Sequence, residues 1–173
     1  MRGRHVKEVA KKDNAFPVAK AVCFTVIVVV WIVLDQLAKS IFVNQEPAGI
    51  ITGPFLGLVD IRLVHNTGGA WGIFSNSTFA LGLFSVVVCL VIAVFFFVTI
   101  RQTNAVQTIA FALIVGGGIG NAIDRFTQGF VTDFIEFSFF DFPVFNIADI
   151  GVTCGFALLI LGMIATLRSG DSA

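Results

Sequence analysis

Charge is the first thing this chain lacks. Only 13% of its 173 residues are Asp, Glu, Lys or Arg, against about a quarter in a soluble domain. Hydrophobic residues make up 57%, 20 Phe among them, more than a water-facing surface of this size accommodates, so lipid must cover the excess. Net charge is missing too: 11 basic and 11 acidic residues cancel, which removes any bulk attraction to nucleic acid or to an acidic partner. Cysteine is scarce and odd in number. Cys23, Cys89 and Cys154 each sit inside an apolar run, so they read as small buried hydrophobes rather than a disulfide framework. Histidine is nearly absent, with only His5 and His65. Without H-E-x-x-H or a Cys/His cluster, no metal or cofactor is expected.

What is present falls into four apolar runs. The first begins near Val18, is strongest over Ala21–Leu34 and can continue to Val43; the others are Phe79–Ile100, Ala105–Ile123 and Ile147–Leu167. A helix needs about 20 apolar residues to cross the hydrocarbon. Three runs reach that length, and the first does so if its helix carries Asp35 and Lys39 near one end. Basic residues before an apolar run also describe a signal peptide, but no small-x-small site follows Leu34, so a retained helix is expected. The expected fold is an all-α membrane bundle of four transmembrane helices, at about 18–43, 78–100, 105–125 and 147–168. They form one membrane-embedded domain over 18–168, between a basic tail, 1–17, and a short tail, 169–173.

The basic residues orient it. Arg2, Arg4, Lys7, Lys11, Lys12, Lys20, Arg101 and Arg168 fall on one side, and Lys39, Arg62 and Arg125 on the other. The richer side is cytoplasmic by the positive-inside rule, which puts both termini inside and the 35–76 and 124–146 segments outside. Alternating apolar and charged residues over Val59-Asp60-Ile61-Arg62-Leu63 predict a half-buried strand, and Phe130 to Phe137 alternates in part. Pro47, Gly49, Gly53, Pro54 and Gly57 punctuate the approach. A small extracytoplasmic β-sheet on the membrane surface is expected, with its main region at 50–75.

Polar residues collect at that outer end: Asp35, Lys39, Asn66, Asn121, Asp124, Arg125, Asp133, Asn146 and Asp149. Ionisable groups at membrane depth cost several kcal/mol, so they pair or line a wet cavity. Ordinary structural roles exist for most. Asp35 and Lys39 are spaced to pair on one helix face. Asp124 precedes Arg125 and invites an ion pair or a terminal anchor. Asn146 and Asp149 have the spacing of a helix cap, after Pro143. Asp133 has the weakest structural reason, lying among Val131 and Phe134 with no adjacent cation. Gly116 to Gly120 is not followed by Gly-Lys-Ser/Thr, and its spacing suits close helix packing.

Elimination narrows the chemistry. G-x-S-x-G is absent, His65 alone is available on the outer side, and Lys39 and Ser40 point about 100° apart on a helix. Surplus carboxyls remain. Two acids that share one proton can hydrolyse an amide: the ionised one draws a proton from water while the protonated one polarises the carbonyl. Asp149, at a helix N-terminus, is the easier to ionise, and Asp133, among Phe and Val, the readier to keep its proton. On these grounds alone Asp124 stays a candidate. A transporter or proton relay is the alternative, since intramembrane acids also mark ion pathways. It predicts acids spread through the bilayer depth, whereas these crowd at one end.

Five blocks carry a resemblance. Asp35-Gln36-Leu37-Ala38-Lys39, Asn66-Thr67-Gly68-Gly69-Ala70-Trp71-Gly72, Gly117-Gly118-Ile119-Gly120-Asn121-Ala122-Ile123-Asp124-Arg125, Val131-Thr132-Asp133-Phe134 and Phe142-Pro143-Val144-Phe145-Asn146-Ile147-Ala148-Asp149 resemble, in order, the motifs of the bacterial lipoprotein signal peptidase (signal peptidase II) family. The resemblance implies an intramembrane aspartyl endopeptidase of the bacterial cytoplasmic membrane. It would act near the outer face, as a monomer, on a diacylglyceryl-modified prolipoprotein in contact with membrane lipid. It implies Asp133 and Asp149 as the catalytic pair, with Asn66, Asn121, Arg125 and Asn146 lining the site and Asp35, Lys39, Asp124 and Gly68 supporting it. Gly69, Trp71 and Phe142 stand where the family often has Ala, Phe and Trp; none is a proposed catalytic group.

Overall fold

The structure is a computed structural model that describes residues 16–42, 45, 47, 50–68 and 77–170. Most of the basic tail, residues 69–76 of the outer region with the Gly69–Gly72 part of its motif, and residues 171–173 lie outside this description. The elements run α1 (Val18–Ser40), β1 (Ile50–Phe55), β2 (Val59–Asn66), α2 (Thr78–Thr99), α3 (Ala105–Thr127), β3 (Val131–Phe137) and α4 (Ile147–Gly170). Among the described residues four helices are long and apolar enough to cross a membrane, as expected.

Their arrangement is set by lipid rather than water. The α3 span has the lowest mean hydropathy of the four, 1.6, yet 61% of it is buried; the other three, at 2.2 to 3.1, are 11–17% buried. In hydrocarbon an apolar face gains nothing by turning inward, so the helix with small and polar residues takes the centre. Accordingly α3 packs against each of the other three. Val26, Val30, Val33, Phe84, Leu90, Val94, Phe156 and Leu161 point outward from their helices, as lipid-facing residues do.

Glycine lets the centre be crowded. Successive helical residues point about 100° apart, so the Gly116-Gly117-Gly118 run offers a bare face to three neighbours in turn. A Cβ on Gly116 would come within 3.1 Å of Trp31 on α1; one on Gly117 would strike the Ala148 carbonyl oxygen on α4, and one on Gly118 the Cys89 sulfur on α2. At the end remote from the sheet, Phe24 stacks on Phe96 with ring centroids 4.3 Å apart, above Cys89, Ala112 and Val115. Lys20 Nζ donates to the carbonyl oxygens of Ile100, at 3.1 Å, and Thr103, closing the C-terminal end of α2 with a cation. Asn104 and Gln107 form a reciprocal capping box that starts α3.

The sheet is antiparallel, ordered β1-β2-β3. β1 contains Gly53 and Pro54, which read in the sequence as punctuation. It is an edge strand, where a missing N–H is tolerated, and its six residues are all exposed. An irregularity between Ile61 and Val64 sets the later register, pairing Val64 with Asp133 and Asn66 with Val131. On the other edge of β3, Phe145 N donates to the Ile135 carbonyl at 2.9 Å, and Phe145 O accepts from Ile135 N at 2.8 Å. That clasp brings the start of α4 beside the middle of β3.

Candidate active site

Two layers of polar groups meet where α1, α3, α4 and the sheet converge. The inner layer centres on Lys39, whose Nζ lies 2.9 Å from Asp35 Oδ2 and 3.1 Å from Asp124 Oδ2, with all three side chains no more than 2% exposed. The i, i+4 pair expected on α1 is present; the second acid arrives from α3. Every other acceptor of the two carboxylates is also engaged. Asp35 Oδ1 accepts from the Ala148 N–H at 2.8 Å, acting as a remote cap for the first turn of α4. Asp124 Oδ2 accepts from the Thr132 N–H at 3.0 Å, and its Oδ1 from Gln36 Nε2 at 2.9 Å. Charges removed from water persist only with such pairing, and here the pairing ties α1, α3, α4 and β3 together. No acceptor of either acid is left for chemistry.

The outer layer holds Asp133 and Asp149. Asp133 comes from the buried half of β3, Asp149 from the first turn of α4. Asn146 touches both: its Nδ2 donates to Asp133 Oδ1 at 2.6 Å and its backbone N–H to Asp149 Oδ2 at 3.1 Å. Its own Oδ1 accepts from the Asp149 N–H at 3.0 Å, so the expected cap is reciprocal. Asn66 Nδ2 donates to Asp133 Oδ2 at 2.9 Å while its Oδ1 accepts from the Gly68 N–H at 3.0 Å. Asn121 Nδ2 donates to Asp149 Oδ1 at 2.8 Å.

Burial pushes the Asp133 carboxyl up, the Asp149 charge pushes it further, and hydrogen bonds from Asn66 and Asn146 and the Lys39 charge pull it back; the outcome is about 7, from an ordinary 3.8. A carboxyl so placed retains a proton near neutrality, which a general acid requires.

Both acids, with Asn66, Asn121 and Arg125, line one cavity of about 510 Å³. Phe137, Phe142, Phe145 and Ile150 make its apolar wall. Arg125 departs from the simplest reading of Asp124-Arg125. Among the described residues its guanidinium makes only long contacts, 3.5 Å to the Asn121 carbonyl and 3.4 Å to that of Gly68, and its buried Nε has no hydrogen-bond partner. The cation therefore faces the cavity rather than its neighbour in sequence.

The ten residues singled out from sequence thus gather in one region: Asp35, Lys39 and Asp124 form the inner layer, Asn66, Asn121, Arg125, Asp133 and Asp149 line the cavity, and Asn146 and Gly68 lie behind that lining, bonded to Asp133 and Asn66. Two contributors were not singled out from sequence, though Gln36 lies within the first motif. Gln36 bridges Asp124 and the Gly120 carbonyl, at 3.2 Å from the latter. Trp31 Nε1 donates to the Ile147 carbonyl at 3.1 Å, a second hold of α1 on the first turn of α4. Trp31 sits in an apolar run, where an indole reads as a lipid-facing residue; Gln36 could have been sought as a polar residue at membrane depth.

The chain is similar to known proteins in sequence and in fold. The chain is 33% identical to the lipoprotein signal peptidase of Streptococcus pneumoniae over 154 residues, 88% of this chain and 99% of that one. It is 36% identical to that of Gloeobacter violaceus over 151 residues, 87% and 85% of the two chains. A bacterial membrane enzyme solved by the in meso method at 2.3 Å superposes with a TM-score of 0.77 at 30% identity, covering 85% of this chain and 90% of its own. A sequence profile of signal peptidase (SPase) II matches residues 27–165, which include both layers of the polar cluster. With the profile reaching into all four helices and spanning the sheet, the chain belongs to the signal peptidase II family, a family of multi-pass membrane peptidases.

Proposed function

We propose that the chain is an intramembrane aspartyl endopeptidase that removes the signal peptide from diacylglyceryl-modified prolipoproteins, with Asp133 and Asp149 as its catalytic pair. One observation carries this reading: the two acids share a cavity and a common asparagine, while Asp35 and Asp124 are consumed by Lys39. Asp149, as the anion, takes a proton from a water molecule between the carboxyls, and the hydroxide attacks the scissile carbonyl carbon. Asp133, as the acid, donates a hydrogen bond to the carbonyl oxygen as it gains charge. The tetrahedral intermediate then collapses, the C–N bond breaks, and the amine leaves with a proton returned through the pair. The dipole of α4 and the donors Asn121 and Asn146 favour the anion on Asp149.

Asn66, Asn121, Arg125 and Asn146 hold the substrate backbone, and Gly68 keeps Asn66 turned toward Asp133. The apolar wall receives acyl chains, each buried CH₂ contributing about 0.8 kcal/mol. The substrate enters sideways from the bilayer, under the sheet. The relatives' description as lipoprotein signal peptidases supports a lipoprotein substrate. The excess of Lys and Arg on the other side supports a site near the outer face, with both termini cytoplasmic. The acids on α1, α3 and α4 crowd at the sheet end and α2 carries none, which disfavours a proton relay across the bilayer.

The test is cleavage of a diacylglyceryl-modified prolipoprotein by the chain in proteoliposomes. Asp133→Asn and Asp149→Asn should each slow turnover by about 10²–10⁴-fold, the size of a general acid or base, while the protein still inserts and folds. Either variant cutting at a rate within a few-fold of wild type removes that carboxyl from the mechanism.

A further inference from the structure

We infer that Lys39 is a positioning residue for the acid pair, acting through the side-chain amide of Asn121 to fix which way the amides around the pair point. The inference rests on the peptidase reading above. An ammonium group has three donors and no acceptor. Lys39 Nζ directs them at Asp35, Asp124 and, at 2.9 Å, Asn121 Oδ1. Against a pure donor, only one orientation of the Asn121 amide is tolerated: oxygen toward Lys39, nitrogen toward Asp149 Oδ1 at 2.8 Å. The choice propagates. The same oxygen accepts from Asn146 Nδ2 at 3.0 Å, so that nitrogen is held inward, where it also reaches Asp133 Oδ1, and the Asn146 oxygen is left for the Asp149 N–H. One cation thus sets two amides so that their nitrogens face the carboxyls of the pair.

The consequence is a placement of the proton. If Asn121 were free to turn, its oxygen could accept from a protonated Asp149, and the proton of the pair would have a comfortable home on the wrong acid. Locked by Lys39, Asn121 offers Asp149 only a donor, which favours the anion there and leaves the proton to Asp133. Neutralising Asp35 and Asp124 would explain a buried lysine in this position, but not why its third donor is spent on a neutral amide that links it to both acids. Among the described residues the charged groups around the pair are Lys39 and Asp35 from α1 and Asp124 and Arg125 from α3; β2 presents the neutral Asn66. Of the two cations, only Lys39 is bonded to an amide that contacts the pair through its side chain.

The experiment is a double-mutant cycle read as a pH profile. The full-length chain in proteoliposomes cleaves a diacylglyceryl-modified prolipoprotein, and kcat/KM is followed against pH for wild type, Lys39→Met, Asn121→Leu and the double variant, with thermal unfolding of each. Each single change should move the limbs of the profile to higher pH by about one unit, the lower end of the range for a lost neighbouring opposite charge, with the loss at neutral pH mainly in kcat. The double variant should shift no further than the larger single shift, because both residues act through one amide. Additive shifts overturn the inference, as does a Lys39→Met protein that is less stable but keeps the wild-type limbs. Should Lys39→Met fail to fold, Asn121→Leu decides alone: limbs left in place by it overturn the inference. Unmoved limbs with an inactive Asp133→Asn sink the amide lock and leave the acid pair standing; an active Asp133→Asn sinks both.

Discussion

Replacing Asp133 by Asn should cost turnover and, above neutral pH, make the protein harder to unfold. The side chain is 2% exposed, and its carboxyl is lifted by burial and by Asp149 to about 7 from 3.8. An acid whose folded value exceeds its unfolded one holds its proton more tightly in the native state, so ionising it opposes folding. Below about pH 4 both states are protonated and there is no penalty. As pH rises through the window the penalty grows, and above about pH 7 it is complete. A lift from 3.8 to about 7 amounts to about 4 kcal/mol, at about 1.4 kcal/mol for each tenfold change in proton affinity.

Asn has no proton to lose, so the penalty disappears, but it brings one of its own. Asp133 accepts from Asn146 on one oxygen and Asn66 on the other, whereas an amide presents one oxygen and one NH₂. One donor is then left facing a donor, at about 1–3 kcal/mol independent of pH. The variant should therefore be the less stable protein near pH 4 and the more stable one near pH 8. The difference between those two comparisons, about 4 kcal/mol, is independent of the hydrogen-bond loss. Titrating groups remote from Asp133 cancel between the two proteins. In thermal unfolding at about 2–4 °C per kcal/mol, the variant's Tm relative to wild type should climb by roughly 8–16 °C between pH 4 and pH 8. A Tm difference that stays flat across that range would refute the claim that this acid is held protonated.

Three further substitutions probe the frame. Asp35→Ala leaves the Ala148 N–H without its acceptor and Lys39 with a single carboxylate; breaking a buried ion pair in this way should cost about 3–5 kcal/mol, read as unfolding in detergent, and a loss below about 1 kcal/mol would mean the cluster contributes little. Gly117→Val drives a side chain into the Ala148 carbonyl, which cannot move without α4. Since a misplacement of about 1 Å at a reacting group can cost 10²-fold, cleavage should fall by about that factor. Gly162→Ala, where a Cβ would meet nothing within 4 Å, should leave cleavage unchanged; equal losses in the two would show that helix spacing is not what matters.

Much of the architecture was legible because lipid imposes strong local rules. A span needs a long apolar run, and each of the four has one; Asp35 and Lys39 announce their pairing by spacing, and Asn146 and Asp149 their cap. β1 fell inside the expected outer β region, 50–75, but had no strand pattern of its own, because an exposed edge strand has no buried face to pattern and this one carries Gly53 and Pro54. The partner of Asp124 was hidden for another reason. Its neighbour Arg125 looked sufficient, yet consecutive helical residues point about 100° apart, so the two side chains leave α3 in different directions. Asp124 meets Lys39, far away in sequence on α1, and Arg125 meets the cavity. Residue spacing alone could not rank Asp124 against Asp133, because what separates them is which acceptors are already occupied.

On the proposed mechanism, that separation also explains why a site that uses two acids is built with four. An acid pair that keeps one proton near neutrality must be desolvated, and desolvation loosens whatever frame holds it unless the frame is anchored by other means. Asp35 and Asp124 anchor it, both paired with Lys39 and their remaining acceptors satisfied by Ala148, Thr132 and Gln36. Asp133 and Asp149 receive only neutral side-chain amides and one backbone N–H. Neutral donors steady a carboxyl without committing it to the anion as a direct ion pair would. A lysine moved one layer outward, onto Asp133 or Asp149, would make the protein more stable and leave it without a proton to give.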